Sequence, residues 1–272
     1  MARHALPLLP LDQVLSQARR RWWCHQLLSA LWLAGIMLAL LYAGVLDPTR
    51  YQDVLRPIVS LTRDALPPDF SRWPHWGRPL LETLSMSVAG TVLGLGLAIP
   101  LGALAARTLG PRWLRLPILL GLNTLRSIPG LVWGVIFVAA LGFGPLPGVM
   151  ALSCHSTGML GKFCAEILEH LDPAPGDALR SQGVSPLGVF RFAVWPQLLP
   201  RLLDATLYRW EHNLRAATTL GVVGAGGLGL EIITAFHLFE YREASALIIL
   251  LLALVTLINL LGSGVRTRLL HG

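Results

Sequence analysis

Long apolar runs, separated by short polar, proline-rich or arginine-rich segments, form most of this chain. The first run, residues 26 to 46, is about 20 residues long, which is enough for a helix to cross the hydrocarbon core of a bilayer. Further runs of spanning length follow at residues 82 to 106, 116 to 141, 145 to 171, 196 to 222 and 244 to 265. The pattern predicts an all-α polytopic membrane protein with about six transmembrane helices.

The first apolar run is predicted to be a retained helix rather than a secretory signal. It follows the arginine cluster Arg19 to Arg21, and no small-x-small cleavage site comes after it. We predict two parts: residues 1 to 80, with an N-terminal tail, this helix and an external segment, and a core at 81 to 272. In the external segment we expect an interfacial helix from about Tyr51 to Leu66, with Trp73 and Trp76 at headgroup level.

Two of the later runs carry unusual backbone signals. The second contains Gly90, Gly94, Gly96 and Gly102, and small residues of this kind let helices approach closely in lipid. The third is interrupted by Arg-Ser-Ile-Pro-Gly at residues 126 to 130. Interrupted backbone at membrane depth must be buried in protein or line a wet cavity. We therefore predict packing for the glycines and an internal position for the break.

Composition and charge agree with a membrane location. Apolar residues make up 54% of the chain and charged residues only 14%, whereas about a quarter is usual in soluble domains. The net charge of +7 comes mostly from arginines at the ends of apolar runs, with twelve in predicted inner segments and six in outer ones. That bias predicts cytoplasmic N- and C-termini and gives no basic stripe for nucleic acid. The three cysteines form no CxxC pair, so neither a disulfide framework nor a metal site is predicted.

The same topology places residues 175 to 200 in the cytoplasm as a predicted pair of short helices. Their pattern is Asp177-Ala178-Leu179, then Gly183, Ala193, Trp195 and Pro196. This spacing resembles the coupling loop of permeases in binding-protein-dependent ATP-binding-cassette importers, with Asp for the usual Glu. The resemblance implies that these residues dock on an ATPase subunit.

The resemblance narrows to the permeases of phosphonate and phosphite uptake. It is carried by ETLSMSVAGT (82 to 91), RSIPGLVWG (126 to 134), GKFCAEILE (161 to 169), the stretch at 206 to 229 and the arginine-rich tail. It implies import of phosphonate, phosphite or a related phosphorus oxyanion across a bacterial inner membrane. It also implies a second copy of the chain, two ATPase subunits that carry ATP and Mg, and an external solute-binding protein.

A glycine cluster follows the fifth run, within a predicted external loop at residues 224 to 243. Gly224, Gly226, Gly227 and Gly229 are similar to a loop of methionine permeases as well, so a permease for another small solute stays open. The G-x-G-x-x-G match lacks a preceding strand, which argues against dinucleotide binding. We predict a gate loop. No G-x-x-x-x-G-K-[ST] motif occurs, so ATP is expected on a partner subunit.

Ionisable side chains within the apolar runs are the candidates for substrate handling, because charge at membrane depth faces a cavity or a partner. Helical spacing would pair Lys162 with Glu166, and Glu211 with Arg215. We hypothesise a translocation path past Arg126 and Arg215, whose guanidinium groups suit oxyanions. Ser127, Glu211 and Asn213 complete the candidate set. The alternative is a structural Arg126–Glu211 pair.

No candidate catalytic site emerges. Ser153, Cys154 and His155 are sequence neighbours on different helix faces without an orienting acid, which favours packing over catalysis. An enzyme is therefore not predicted. A secondary transporter or channel that needs no ATPase remains the rival function.

Overall fold

A computed structural model describes residues 11–51 and 54–271 of the chain. Helices are the regular structure throughout this described part, which contains no strand. Their bounds are α1 Leu11–Tyr42, α2 Leu55–Ala65, α3 Gly77–Ala105, α4 Arg112–Ser127, α5 Gly130–Leu141, α6 Pro145–Glu169, α7 Ala174–Ser181, α8 Pro186–Val189, α9 Trp195–Leu220, α10 Gly227–His237 and α11 Tyr241–His271. The predicted all-α fold class is confirmed.

Between three and five membrane crossings are supported by helix length and apolar content in the described chain. Arg19–Tyr42, Trp73–Ala105 and Tyr241–Arg266 qualify as single helices. Two bent pairs qualify when each is counted as one span: α4 with α5, bent by 88°, and the helical stretch Pro186–Ala225 with α10, bent by 57°. The remaining predicted span, the fourth along the chain at residues 145 to 171, corresponds to α6, which is long enough but less apolar. Burial explains its composition, because α6 packs against α3, α4, α5 and α9.

The chain divides into two compact units, the residues up to Arg63 and those from Asp64. In the first, the side chains of α1 are exposed along the apolar segment Arg19–Tyr42. A helix, α2 at Leu55–Ala65, occupies the region near residues 51 to 66 where an interfacial helix was predicted.

Residues 64 to 80 were predicted to belong with the first helix, but they are part of the second unit and contact its other residues. Arg72 forms an ion pair with Glu243 at 2.7 Å, and the Trp76 indole N–H donates to Glu243 at 3.3 Å. Trp76 is only 4% exposed, so it is a core residue rather than the predicted headgroup anchor. Trp73, in contrast, is exposed. The unit boundary therefore precedes the predicted one.

Close approach of α3 to α6 forms the centre of the second unit. A Cβ atom added at Gly90 or Gly94 would lie 2.5 Å from the Cβ of Leu152 or Ser156 on α6, and one at Gly102 would lie 2.6 Å from the Cβ of Cys164. These glycines therefore act by packing, as predicted. Gly96 differs, since a Cβ there would meet nothing within 4 Å.

The predicted interruption of the third run is the sharp bend between α4 and α5 at Ile128 and Pro129. Pro129 has no N–H to donate, so a carbonyl of the preceding turn needs another donor. The indole N–H of Trp133 on α5 donates to the Leu125 carbonyl at 3.2 Å. The Ile128 N–H also bonds the Thr124 carbonyl at 3.3 Å. The break thus keeps its backbone bonded within the protein.

The glycine cluster forms a tight turn into a helix rather than a long loop. Gly224, Gly226 and Gly227 have φ values of 96°, 84° and 72°, which other residues rarely adopt. The first N–H groups of α10 are then capped by α3: Gly227 donates to Glu82 Oε2 at 3.1 Å and Leu228 to Thr83 Oγ1 at 2.9 Å. The expected external loop at 224 to 243 is therefore wrong in this respect, because residues 227 to 237 are helical.

The α3–α6 contact predicts different effects on stability for an alanine substitution at two glycines of α3. Gly94→Ala forces a methyl group onto the Ser156 side chain and the backbone of Ser153 and Thr157, and overpacking of this kind costs about 1–3 kcal/mol of stability. Gly96→Ala meets open space and should be neutral or slightly stabilising. Thermal unfolding of the purified protein in detergent should give a Tm lower by several degrees for Gly94→Ala only. Equal Tm values for the two variants would contradict this packing.

Candidate functional site

A cavity of about 300 Å³ lies between the start of α5, the middle of α6 and one face of α9. Much of its wall is apolar, including Leu131, Leu152 and Leu220. Its polar groups are His155 from α6 with Arg209, His212 and Arg215 from α9. No acidic side chain lines the cavity within the described chain. Its lining therefore carries positive charge and hydrogen-bond donors.

Arg209 is the most confined of these charges, with 5% exposure. Its Nε donates to Ser156 Oγ at 3.0 Å, and its Nη2 lies 2.6 Å from His155 Nδ1. Among the residues the structure describes, no carboxylate pairs with it. Such a charge usually has a counter-ion when buried, since desolvation is costly. An anion in the adjoining cavity is the missing counter-ion that this arrangement would accept.

The contact with Arg209 also fixes the state of His155. A guanidinium has donors only, so His155 Nδ1 must accept and its proton must be on Nε2. The imidazole of His212 stacks alongside, with 6.4 Å between ring centroids. His155 is therefore a neutral ring that offers a donor.

A buried polar network holds α9 in place beside the cavity. Asn213, which is fully buried, donates from Nδ2 to Thr91 Oγ1 on α3 and Ser156 Oγ on α6, both at 2.8 Å. The Trp210 indole N–H donates to Ser87 Oγ at 3.2 Å. Ser156 thus accepts from both Arg209 and Asn213, which makes it the junction of α6 and α9.

The structure separates the predicted pathway residues. Arg215 lines the cavity. Asn213 belongs to the buried network behind it. Arg126 donates to Asn123 Oδ1 at 3.1 Å, and Ser127 donates to the Asn123 carbonyl at 2.7 Å; neither lines the cavity. Glu211 lies outside it as well.

The observed partner of Glu211 decides between the ion pairs predicted for it. It binds Arg266 of α11, with 2.6 Å between Oε1 and Nη2. The structural Arg126–Glu211 pair and the helical Glu211–Arg215 pair are therefore wrong, because α11 supplies a partner from far along the sequence. The Lys162–Glu166 pair is confirmed at 3.3 Å.

The sequence hypothesis assigned no place on the translocation path to three cavity residues, His155, Arg209 and His212. Arg209, like Arg126 and Arg215, is an arginine within an apolar run, so its position alone did not distinguish it. His155 was assigned to packing because its sequence neighbours suggested no partner. Its contact with Arg209 joins positions 54 residues apart, which no local pattern reveals.

The predicted coupling segment folds as two short helices joined by a turn. These are α7 and α8, and a π-helical turn at Phe190–Val194 leads from α8 into α9. Gly183, at the turn, has φ of 77°, which favours glycine. Ala193 is buried beneath α7, and Asp177 forms an exposed ion pair with Arg180 at 2.7 Å. Ala178 and Pro196 are exposed.

Large apolar side chains project from this segment. Leu187 and Phe192 are exposed by 77% and 67%, and Trp195 by 39% beside the ring of Phe190. Several large exposed apolar side chains on one short segment are typical of a protein-binding site. The segment continues directly into α9, whose stretch from Arg209 to Leu220 lines part of the cavity.

Residues 98–271 match the family model described as "Binding-protein-dependent transport system inner membrane component". The chain belongs to this family. This permease is accordingly an inner-membrane transport subunit of an ATP-binding-cassette importer rather than an enzyme, and it works with an ATPase and a solute-binding protein. The family predicted from the coupling segment is confirmed.

Individual relatives are consistent with this assignment. The permease is 43% identical over 94% of its length to the phosphite transport system permease protein PtxC of Stutzerimonas stutzeri, of which 93% is covered. It is 38% identical over 69% of its length to the phosphate-import permease protein PhnE of Mycolicibacterium smegmatis, of which 36% is covered. An inward-facing structure of the MetNI methionine ABC transporter superimposes with a TM-score of 0.63 at 23% identity, covering 71% of this chain and 95% of the other. At this sequence identity, the similarity to the MetNI structure supports the fold alone.

Ser156 should be essential to the packing of α9, whereas a nearby serine on α6 should not. Ser156→Ala leaves Arg209 Nε and Asn213 Nδ2 short of an acceptor, and each such buried donor costs about 1–3 kcal/mol. Ser153→Ala removes only a bond to the Met150 carbonyl of the same helix. We expect a clearly lower Tm in detergent for Ser156→Ala and little change for Ser153→Ala. Similar Tm values would show that the junction is unimportant.

Proposed function

We propose that this permease takes up phosphite, phosphonate or a related small phosphorus oxyanion. The phosphite permease that it resembles over nearly its whole length supports this substrate class. The observation that carries the proposal is the cavity, where Arg209 is buried without a carboxylate partner in the described chain and Arg215 lies nearby.

The chemistry of the cavity suits a compact oxyanion. Guanidinium groups bind phosphoryl oxygens through paired N–H donors, and the Nε2–H of His155 adds a neutral donor. The apolar remainder of the wall lowers the local dielectric and so strengthens these contacts. Arg209 already gives two of its donors to Ser156 and His155, so its hold on a passing anion is incomplete. A transport path needs sites of this kind, which a substrate can leave.

A methionine-type substrate fits less well. An amino acid carries an ammonium group that needs an acceptor of negative charge, and the described lining of the cavity contains no carboxylate. The similarity of the glycine turn to methionine permeases therefore reflects a shared backbone element.

The proposed assembly contains two copies of the permease, two cytoplasmic ATPase subunits and a solute-binding protein on the outer side. One coupling segment in each chain suits one ATPase per chain. The arginine distribution supports cytoplasmic N- and C-termini, with the coupling segment on the same side. The glycine turn and α10, at the other end of α9, would then face outward as the gate.

In this scheme the coupling segment transmits closure of the ATPase pair to α9. Leu187, Phe192 and Trp195 would be buried in the ATPase, and Gly183 would hold the tight turn between α7 and α8. Because α9 begins at Trp195 without an intervening loop, movement of the segment moves the cavity wall. ATP binding would open the cavity outward, and hydrolysis would return it inward.

The cavity predicts different effects for two arginines that sequence alone treats alike. Arg215→Gln removes a positive charge from the cavity wall and should lower ATP-dependent phosphite uptake at least about tenfold, since a charge-assisted bond contributes roughly 1.5–3 kcal/mol. Arg126→Gln, outside the cavity, should retain most uptake. Uptake is measured in proteoliposomes that contain the assembled transporter, with phosphite-loaded binding protein outside. Normal uptake by Arg215→Gln would refute the proposed path.

A substitution in the coupling segment is predicted to lower ATP-driven uptake without affecting folding. Asp177→Lys changes an exposed residue whose ion pair adds little stability, so the amount of protein in the membrane should stay unchanged. Uptake and substrate-stimulated ATPase activity should both fall at least about tenfold, as expected when a docking charge is reversed. Asp64→Lys, an equally exposed aspartate of the predicted outer segment, is the matched control. Full uptake by Asp177→Lys would refute the proposed role of Asp177 in docking the ATPase.

A further inference from the structure

On α9, Glu211 is spaced along the helix so that its negative charge could neutralise Arg215. Arg209, His212 and Thr219 are on the face that lines the cavity, and Arg215 is at its edge. Glu211 is just beyond that edge, since at 3.6 residues per turn it is only about 40° around the helix from Arg215. A Glu followed by Arg four residues later is a favourable helical pair. Glu211 is therefore placed to neutralise Arg215.

Contacts from α11 prevent this. Arg266 Nη2 lies 2.6 Å from Glu211 Oε1, and the Glu211 side chain is only 8% exposed. Gly262, one turn before Arg266, makes the space: a Cβ atom there would overlap Oε1 of Glu211. Gly262 and Arg266 together form a slot for the carboxylate on the side of α9 that faces α11. The slot leaves Arg215 without a carboxylate partner within the described chain.

We infer that Arg266 is a positioning residue that holds the negative charge of Glu211 away from the cavity and so keeps the cavity attractive to anions. This deepens the proposed function, on which it rests for the identity of the anion. Without Arg266, the Glu211 carboxylate is left partnerless at low dielectric, where the neighbouring guanidinium of Arg215 attracts it strongly. The cavity then loses the charge that Arg215 supplies.

The test measures the sign of the potential in the cavity without any transported substrate. Thr219→Cys, on the cavity wall, is introduced into the full transporter after replacement of Cys24, Cys154 and Cys164. The cysteine is labelled with a sulfonate-bearing and with a trimethylammonium-bearing methanethiosulfonate reagent. The ratio of the two rates reports the local potential, because like charge repels and opposite charge attracts the reagent.

We expect Arg266→Gln to lower the anionic-to-cationic ratio roughly tenfold, since the rates of the two reagents respond in opposite directions to a change in local potential. Adding Glu211→Gln should restore it to within about twofold, because the misplaced charge is then absent. Arg266→Lys should keep the ratio, and Arg126→Gln serves as the matched arginine control outside the cavity. An unchanged ratio in Arg266→Gln, or no recovery in the double variant, would overturn the inference.

Gly262→Ala provides an independent variant should Arg266→Gln fold poorly. It fills the slot without altering any charge, and it should lower the ratio in the same direction. An unchanged ratio in this variant would also count against the slot. Uptake assays separate the inference from the proposed function: the expected ratios together with absent phosphite uptake in the parent transporter would refute the substrate class alone. Normal phosphite uptake with a ratio insensitive to Arg266→Gln would refute the role of Arg266 alone.

Discussion

The contact of α3 with α6 is the one on which the other helices of the second unit depend. Glycines at 90, 94 and 102 let the two backbones come close, and this proximity brings hydroxyl groups of both helices to one side. Thr91 and Ser156 then present oxygen atoms at the spacing that the Asn213 amide requires. The hydrogen bonds place α9 in a single register, and Arg209 reaches the cavity from that register. Packing of small residues thus determines where a charge is located.

Much of the fold follows from the sequence because membrane helices obey simple local rules. Run length predicted the bounds of α3, α9 and α11 to within six residues, and proline with glycine predicted the break at Ile128 and Pro129. The glycine cluster at 224 to 229 was harder, since glycine indicates positive φ without stating whether a loop or a helix follows. There the N-terminal cap of α10 comes from Glu82 and Thr83, about 145 residues earlier in the chain.

The candidate site could be predicted only in part. Arg215 was found because an intramembrane arginine is costly and therefore informative. The partner of Glu211 was not, since local spacing favours Arg215 and gives no weight to Arg266, 55 residues away. His155 and Arg209 join in the same way across two helices. Side chains whose role depends on which faces of two helices meet are beyond reach until the packing is known.

The composition of α6 has a consequence for how the protein is made. Buried serine, threonine and glycine residues make this helix less apolar than the candidate spans, although it is at the centre of the unit. A segment of this kind gains little free energy from lipid alone, and it gains much from neighbouring helices that bond its hydroxyl groups. We therefore expect α6 to settle in the bilayer together with α3, and its insertion during biosynthesis to be a folding event.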